Sequence, residues 1–162
     1  MSGVTIRPAR PEDAGAILAM LRRMAQELGF ADRFASDEAA VRRYGFGAEA
    51  CFSAVLAEAD GASCGMALFL RHFSTTRGMP GIYVQDLWIA PEVRGQRLGE
   101  RLLARVARDG AEQWGAGYLA LGVHRDNPEA TRFYARLGFA ADPNDQPMAL
   151  DGAAFRELAE AG

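Results

Sequence analysis

One stretch of this chain combines residue types and spacings suited to holding an anion. Asp86-Leu87-Trp88-Ile89-Ala90-Pro91-Glu92-Val93-Arg94-Gly95-Gln96-Arg97-Leu98-Gly99-Glu100-Arg101-Leu102-Leu103 reads as a strand, a tight turn and a helix. The first N–H groups of a helix have no partner within it, and the helix dipole adds partial positive charge there, so such a turn is a ready anion site. Gly95 and Gly99 let the backbone approach a ligand closely, and Arg94, Arg97 and Arg101 add positive charge. A pyrophosphate suits this place. The nucleotide P-loop pattern, G-x-x-x-x-G-K-S/T, is absent. A second segment runs Asn127-Pro128-Glu129-Ala130-Thr131-Arg132-Phe133-Tyr134-Ala135-Arg136-Leu137-Gly138-Phe139. Taken by itself it is a capped helix with an aromatic pair in its core.

The elements around these two segments follow from pattern. Val4 to Arg7 alternates as a first strand, and Pro11-Glu12-Asp13 opens a helix with acids at its positive end. Ala14, Ile17, Leu18, Leu21, Met24, Ala25 and Leu28 continue that helix at helical spacing until Gly29 stops it. A shorter helix is expected from Ser36-Asp37 to Tyr44. Phe52 to Ala59 and Ser63 to Phe69 form a hairpin through Asp60-Gly61, and Gly81 to Ile89 is a third long strand. Leu98, Leu102, Leu103, Val106 and Trp114 line one face of the helix beginning near Gly99. Tyr118 to Val123 is uncharged, which predicts a strand inside the sheet. The Asn127 helix follows, with Ala130, Phe133, Tyr134 and Leu137 apolar. Phe139 to Ala141 and Pro147 to Leu150 are expected as a terminal hairpin, then a helix from Asp151-Gly152 using Phe155 and Leu158. Early hairpins with a strand–helix–strand unit in the middle predict a mixed α/β sheet in a single domain, 1–162, with a right-handed crossover.

Composition narrows the function classes. The 162 residues are 49% hydrophobic and 24% charged, which excludes disorder and suits one domain. The longest uncharged run, Gln113 to His124, is too short to span a membrane. The N-terminus has no apolar signal core, so a cytoplasmic protein is expected. All 18 basic residues are Arg, and the net charge of −3 argues against a general nucleic-acid binder. Cys51 and Cys64 read as reduced thiols, and two cysteines with two histidines match no zinc spacing, so no metal is expected.

Together the two segments resemble the GNAT superfamily of N-acetyltransferases. Arg94-Gly95-Gln96-Arg97-Leu98-Gly99 is similar to that family's R-G-x-G-x-G acetyl-CoA loop, with Arg97 in place of the middle glycine. Asn127 to Phe139 is similar to its N-x-x-A-x-x-F-Y-x-x-x-G-F segment, and the two occur in the family's order. The resemblance implies a mixed, mostly antiparallel sheet flanked by helices, in which a splayed parallel pair of strands forms the acetyl-CoA slot. It implies that Leu87, Trp88 and Ile89 offer backbone groups to the pantetheine. The amides of Gly95, Gln96, Arg97, Leu98, Gly99 and Glu100 hold the pyrophosphate, and Asn127 and Ala130 flank the thioester end. Tyr134 aligns with the family's general acid for the departing thiolate.

The chemistry then needs a base. A substrate amine is protonated at neutral pH and loses a proton before it attacks the thioester. Transfer within a ternary complex needs no cysteine nucleophile. Gly81 to Leu87 and Met148-Ala149-Leu150-Asp151-Gly152 look similar to the diamine and thialysine acetyltransferase branch, where an acidic pair ends the strand before the loop. Here that pair is Gln85-Asp86, so Asp86 is the carboxylate expected to act, unless it is a structural acid paired with backbone or Arg. Glu27, Gln85, Asp86 and Asp145, with Asp142, are expected to face a cationic acceptor, and His72 and His124 are further titratable candidates. The expected acceptor is a small primary amine. The alternatives are a protein or peptide acetyltransferase and a non-catalytic acyl-CoA-binding module, the second opposed by the presence of Tyr134. A homodimer is expected from the branch, with Phe139, Met148, Leu150 and Phe155 as interface material.

Overall fold

A computed structural model describes residues 3–161; Met1, Ser2 and Gly162, at the ends of the expected domain, lie outside them. The chain divides into two compact units, Met1–Gly122 and Val123–Gly162. The first unit contains strands β1 (Thr5–Pro8), β2 (Ser53–Ala59), β3 (Ala62–Ser74), β4 (Met79–Ile89) and β5 (Leu119–Leu121). Its helices are α1 (Ala14–Glu27), α2 (Glu38–Gly45) and α3 (Leu98–Trp114). The strands form one sheet in the order β1-β2-β3-β4-β5. The first three pairings are antiparallel and β4–β5 is parallel. The second unit contains α4 (Pro128–Arg136) and α5 (Gly152–Glu160).

Local chemistry accounts for these elements. Asp60 and Gly61 both take left-handed angles, φ 51° and 78°, and join Ala59 to its partner Ala62 in a two-residue hairpin. Helix α1 buries Ile17, Leu18, Leu21, Met24 and Ala25 along one stripe. Helix α3 buries Leu98, Leu102, Leu103 and Val106 and comes close to β4 through Gly110, where an added Cβ would stand 2.4 Å from Ile82 Cδ1. Arg101 and Arg105 of α3 donate to the carbonyls of Val4 and Ile6, which ties the edge strand β1 to that helix. Arg7 lies between Asp13 and Glu58 and holds the Asp13 carboxyl below the usual carboxylate range.

Two expectations are corrected. The uncharged run Tyr118 to Val123 gives only the three residues of β5. Among the described residues that strand pairs with β4 alone and stands at the end of the sheet, half-buried. Lack of charge reports low polarity and not the number of neighbouring strands. The terminal hairpin is also absent, because Phe139 to Ala141 and Pro147 to Leu150 carry no strand. Pro143 and Pro147 have no N–H for a ladder, and the Asp142 carboxylate takes the Asn144 N–H at 2.8 Å into a local turn.

Candidate active site

The site begins with an irregularity in β4. Leu68 of β3 pairs with Asp86 and Phe69 with Val84, so Gln85 is an extra residue, a β-bulge. The bulge changes which side chains face which helix. Before it, Ile82 packs on Gly110 of α3; after it, Ile89 and Leu102 of α3 border the same glycine, Gly65, while Trp88 reaches Glu27 of α1. By the two-residue period, Asp86 shares the face of Trp88, toward α1.

The bulge also marks where the parallel pair ends. The pairing of β4 with β5 runs through Ile82–Leu119, Tyr83–Ala120 and Val84–Leu121 and stops. Strand β4 continues to Ile89, so Gln85, Asp86, Leu87, Trp88 and Ile89 have no β5 partner. An extended ligand could use their backbone groups.

Asp86 is half-buried, and its carboxylate makes no hydrogen bond or ion pair among the described residues. Burial pushes its pKa up to about 6. The structure therefore does not pair Asp86 with an arginine or a backbone donor. Gln85 is exposed at the bulge.

Beyond β4 the chain makes a short turn at Pro91–Val93 and enters α3. Gly95 (φ 81°) and Arg97 (φ 56°) both take left-handed angles. Arg97 occupies a conformation that costs an ordinary residue roughly 1–2 kcal/mol. It is also the N-cap of α3, and no side chain caps the helix there. Among the described residues, none of the N–H groups from Gly95 to Glu100 donates to a protein acceptor. These six donors at a helix start fit a pyrophosphate.

The three arginines nearby all have protein partners. Arg94 bonds the Ile89 carbonyl at 3.0 Å and Glu27 at 2.5 Å, Arg97 pairs with Glu100, and Arg101 bonds the Val4 carbonyl. The free donors in this segment are therefore backbone amides and not arginine side chains.

Glu27, expected to face a cationic acceptor, has its carboxylate engaged by Arg94 and by the Trp88 indole at 3.2 Å. Arg23, one turn earlier on α1, lies 4.7 Å over the Trp88 ring and pairs with Glu92. Sequence reasoning missed Arg23. Its spacing of four residues from Glu27 was the available signal. His72 is exposed and its Nδ1 lies 2.6 Å from the Tyr118 hydroxyl.

In the second unit, Asn127 caps α4 by accepting from the Ala130 N–H at 3.1 Å. Gly138 (φ 94°) ends the helix. The Gly138 N–H bonds the Ala135 carbonyl and the Phe139 N–H bonds the Tyr134 carbonyl, a Schellman motif. Its accompanying apolar contact is Phe139 against Tyr134, with ring centroids 5.4 Å apart; the Phe133 ring lies 5.0 Å from that of Tyr134. The spacing of Phe133, Tyr134, Gly138 and Phe139 thus has a packing cause. Burial raises the Tyr134 pKa, so its hydroxyl keeps its proton at neutral pH. Asp145 and His124 are exposed. Among the described residues, no group of three His, Cys, Asp or Glu could hold a metal ion.

The sequence and the fold both have known counterparts. The acetyltransferase (GNAT) family model matches residues 16–139. Thialysine N-epsilon-acetyltransferase of Sus scrofa is 34% identical, over 98% of this chain and 99% of that protein. The Bos taurus protein of the same name is 32% identical over the same shares. Among solved structures, an integron cassette protein from the mobile metagenome of V. cholerae superposes with a TM-score of 0.81 at 20% identity, over 99% of both chains. That last likeness is one of fold.

Proposed function

The chain belongs to the GNAT acetyltransferase family, and from that premise we propose that it transfers the acetyl group of acetyl-CoA to a small primary amine in a ternary complex. The observation that carries the reading is the run of six amides, Gly95 to Glu100, at the start of α3 that have no protein acceptor among the described residues. In this reading they hold the pyrophosphate, and Leu87, Trp88 and Ile89 offer backbone groups to the pantetheine. Asn127 and Ala130 border the thioester end. Residues 1–162 act as one acetyltransferase domain.

Asp86 takes the proton from the attacking ammonium. A pKa of about 6 leaves it charged at neutral pH yet more basic than an ordinary carboxylate. The amine nitrogen bonds to the acyl carbon, the carbon–sulfur bond breaks, the thiolate takes the Tyr134 proton, and the second proton that the nitrogen loses in becoming an amide returns to the tyrosinate. A backbone N–H of the unpaired part of β4 stabilises the developing oxyanion. Gln85 and Asp86 face the acceptor, and Asp145 is a further candidate to bind it. The acceptor is an amino acid-like amine of the thialysine type, which near full-length similarity to two proteins of that name supports. Gln85 brings no charge, so long polyamines lose one ionic partner. We further propose a cytoplasmic homodimer; among the described residues no helix is long and apolar enough to cross a membrane.

Tyr134→Phe tests the chemistry. It should lower kcat about 10²- to 10⁴-fold, the usual range for general acid catalysis, with acetyl-CoA affinity intact. A kcat within twofold of the unmodified enzyme would reduce Tyr134 to a packing residue.

A further inference from the structure

The acceptor role expected for Glu27 competes with the bonds its carboxylate already makes. Glu27 is the last residue of α1, where a negative charge opposes the helix dipole. Something outside the helix must favour it there. Its two oxygens accept from different partners, Oε1 from the Trp88 indole at 3.2 Å and Oε2 from Arg94 Nη2 at 2.5 Å. Trp88 lies near the end of β4, and Arg94 lies in the turn before α3. Arg94 also donates through Nε to the Ile89 carbonyl at 3.0 Å, so its guanidinium braces the turn against both β4 and α1. Arg23 adds a second brace from the same face of α1, over the Trp88 ring and onto Glu92.

The segment so braced has no regular backbone ladder of its own. It contains two left-handed residues, Gly95 and Arg97, and its amides from Gly95 to Glu100 have no protein acceptors among the described residues. A site of unpaired amides binds best when its shape exists before the ligand arrives, because ordering a loop on binding subtracts from affinity. We propose that Glu27 is a positioning residue for this turn: it fixes Arg94 and Trp88 so that the six amides stand preformed, and it is not a ligand of the acceptor amine. The inference rests on the reading of those amides as the acetyl-CoA pyrophosphate site.

The test separates the two substrates of one enzyme. Glu27→Gln keeps an acceptor for the indole but removes the charge facing Arg94, and exposed ion pairs of this kind are worth about three- to fivefold. Coenzyme A should therefore bind about three- to fivefold more weakly by calorimetry. The KM for acetyl-CoA should rise alongside, with kcat at saturation and the amine KM both within twofold. Glu27→Ala, which also loses the indole bond, should weaken binding by about tenfold. In an Arg94→Ala background, Glu27→Gln should add nearly nothing, because the charge it faced is gone and the indole keeps its acceptor. A raised amine KM with unchanged coenzyme A affinity would overturn the proposal and return Glu27 to the acceptor site. Unchanged values for both substrates would also overturn it. Failure of the unmodified protein to bind coenzyme A would overturn the pyrophosphate reading itself.

Discussion

Asp86 is a half-buried acid with no hydrogen-bond donor among the described residues to favour its charge. Its pKa of about 6 stands above the ordinary 3.8, so the folded protein binds this proton more tightly than the unfolded chain does. The stability that the proton confers is complete below about pH 4 and is lost as pH rises through about 6. Asp86→Asn should therefore raise the melting temperature at pH 8 and change it little at pH 4. Equal gains at both pH values would contradict the assignment. In catalysis the sign is reversed, because only the charged form accepts a proton. Activity should fall below about pH 6, and Asp86→Asn should remove that limb along with most of the rate.

Among the elements, the start of α3 is the proposed acetyl-CoA site. Gly99 is buried in the first turn of the helix, beside amides that have no protein acceptor among the described residues. Gly99→Asp would place a carboxylate where a pyrophosphate is expected. Calorimetry should show coenzyme A binding weakened at least tenfold (~1.4 kcal/mol) with the helix intact by circular dichroism. Unchanged affinity would contradict the site. This helix, its turn and the α4 segment were legible in the sequence because their signals are local: glycines at left-handed positions, a capping Asn127, and an apolar stripe. The bulge at Gln85 was not legible, since it is set by register with Leu68 and Phe69 and leaves no mark in the composition of β4. For the same reason the engagement of Glu27 by residues more than sixty positions away was invisible. The expected strands after Phe139 failed because prolines and an Asp142 turn outweighed short apolar runs.

For the whole molecule, the open matter is what covers the C-terminal apolar residues. Met148, Leu150, Phe155 and Leu158 are 91%, 49%, 58% and 66% exposed. Several large apolar side chains exposed in one segment are characteristic of an association surface. A homodimer predicts a light-scattering mass of about twice 17.5 kDa at micromolar concentration. Phe155→Asp with Leu158→Asp should bring the mass down to that of one chain. A monomer mass for the unmodified protein would contradict the dimer.

Asp86 and the turn before α3 are proposed to serve acetyl transfer to a small amine carrying one further cationic centre. The most direct measurement is kcat/KM with saturating acetyl-CoA across thialysine, lysine, putrescine, spermidine and a basic peptide. A missing ionic partner at Gln85 is worth roughly 1.5–3 kcal/mol, about ten- to a hundredfold, against a long polyamine. Thialysine or lysine should come first, with spermidine at least tenfold lower and the peptide lower still. A peptide turned over more than tenfold faster than every small amine would contradict the claim, and a lead for spermidine would contradict the argument from Gln85.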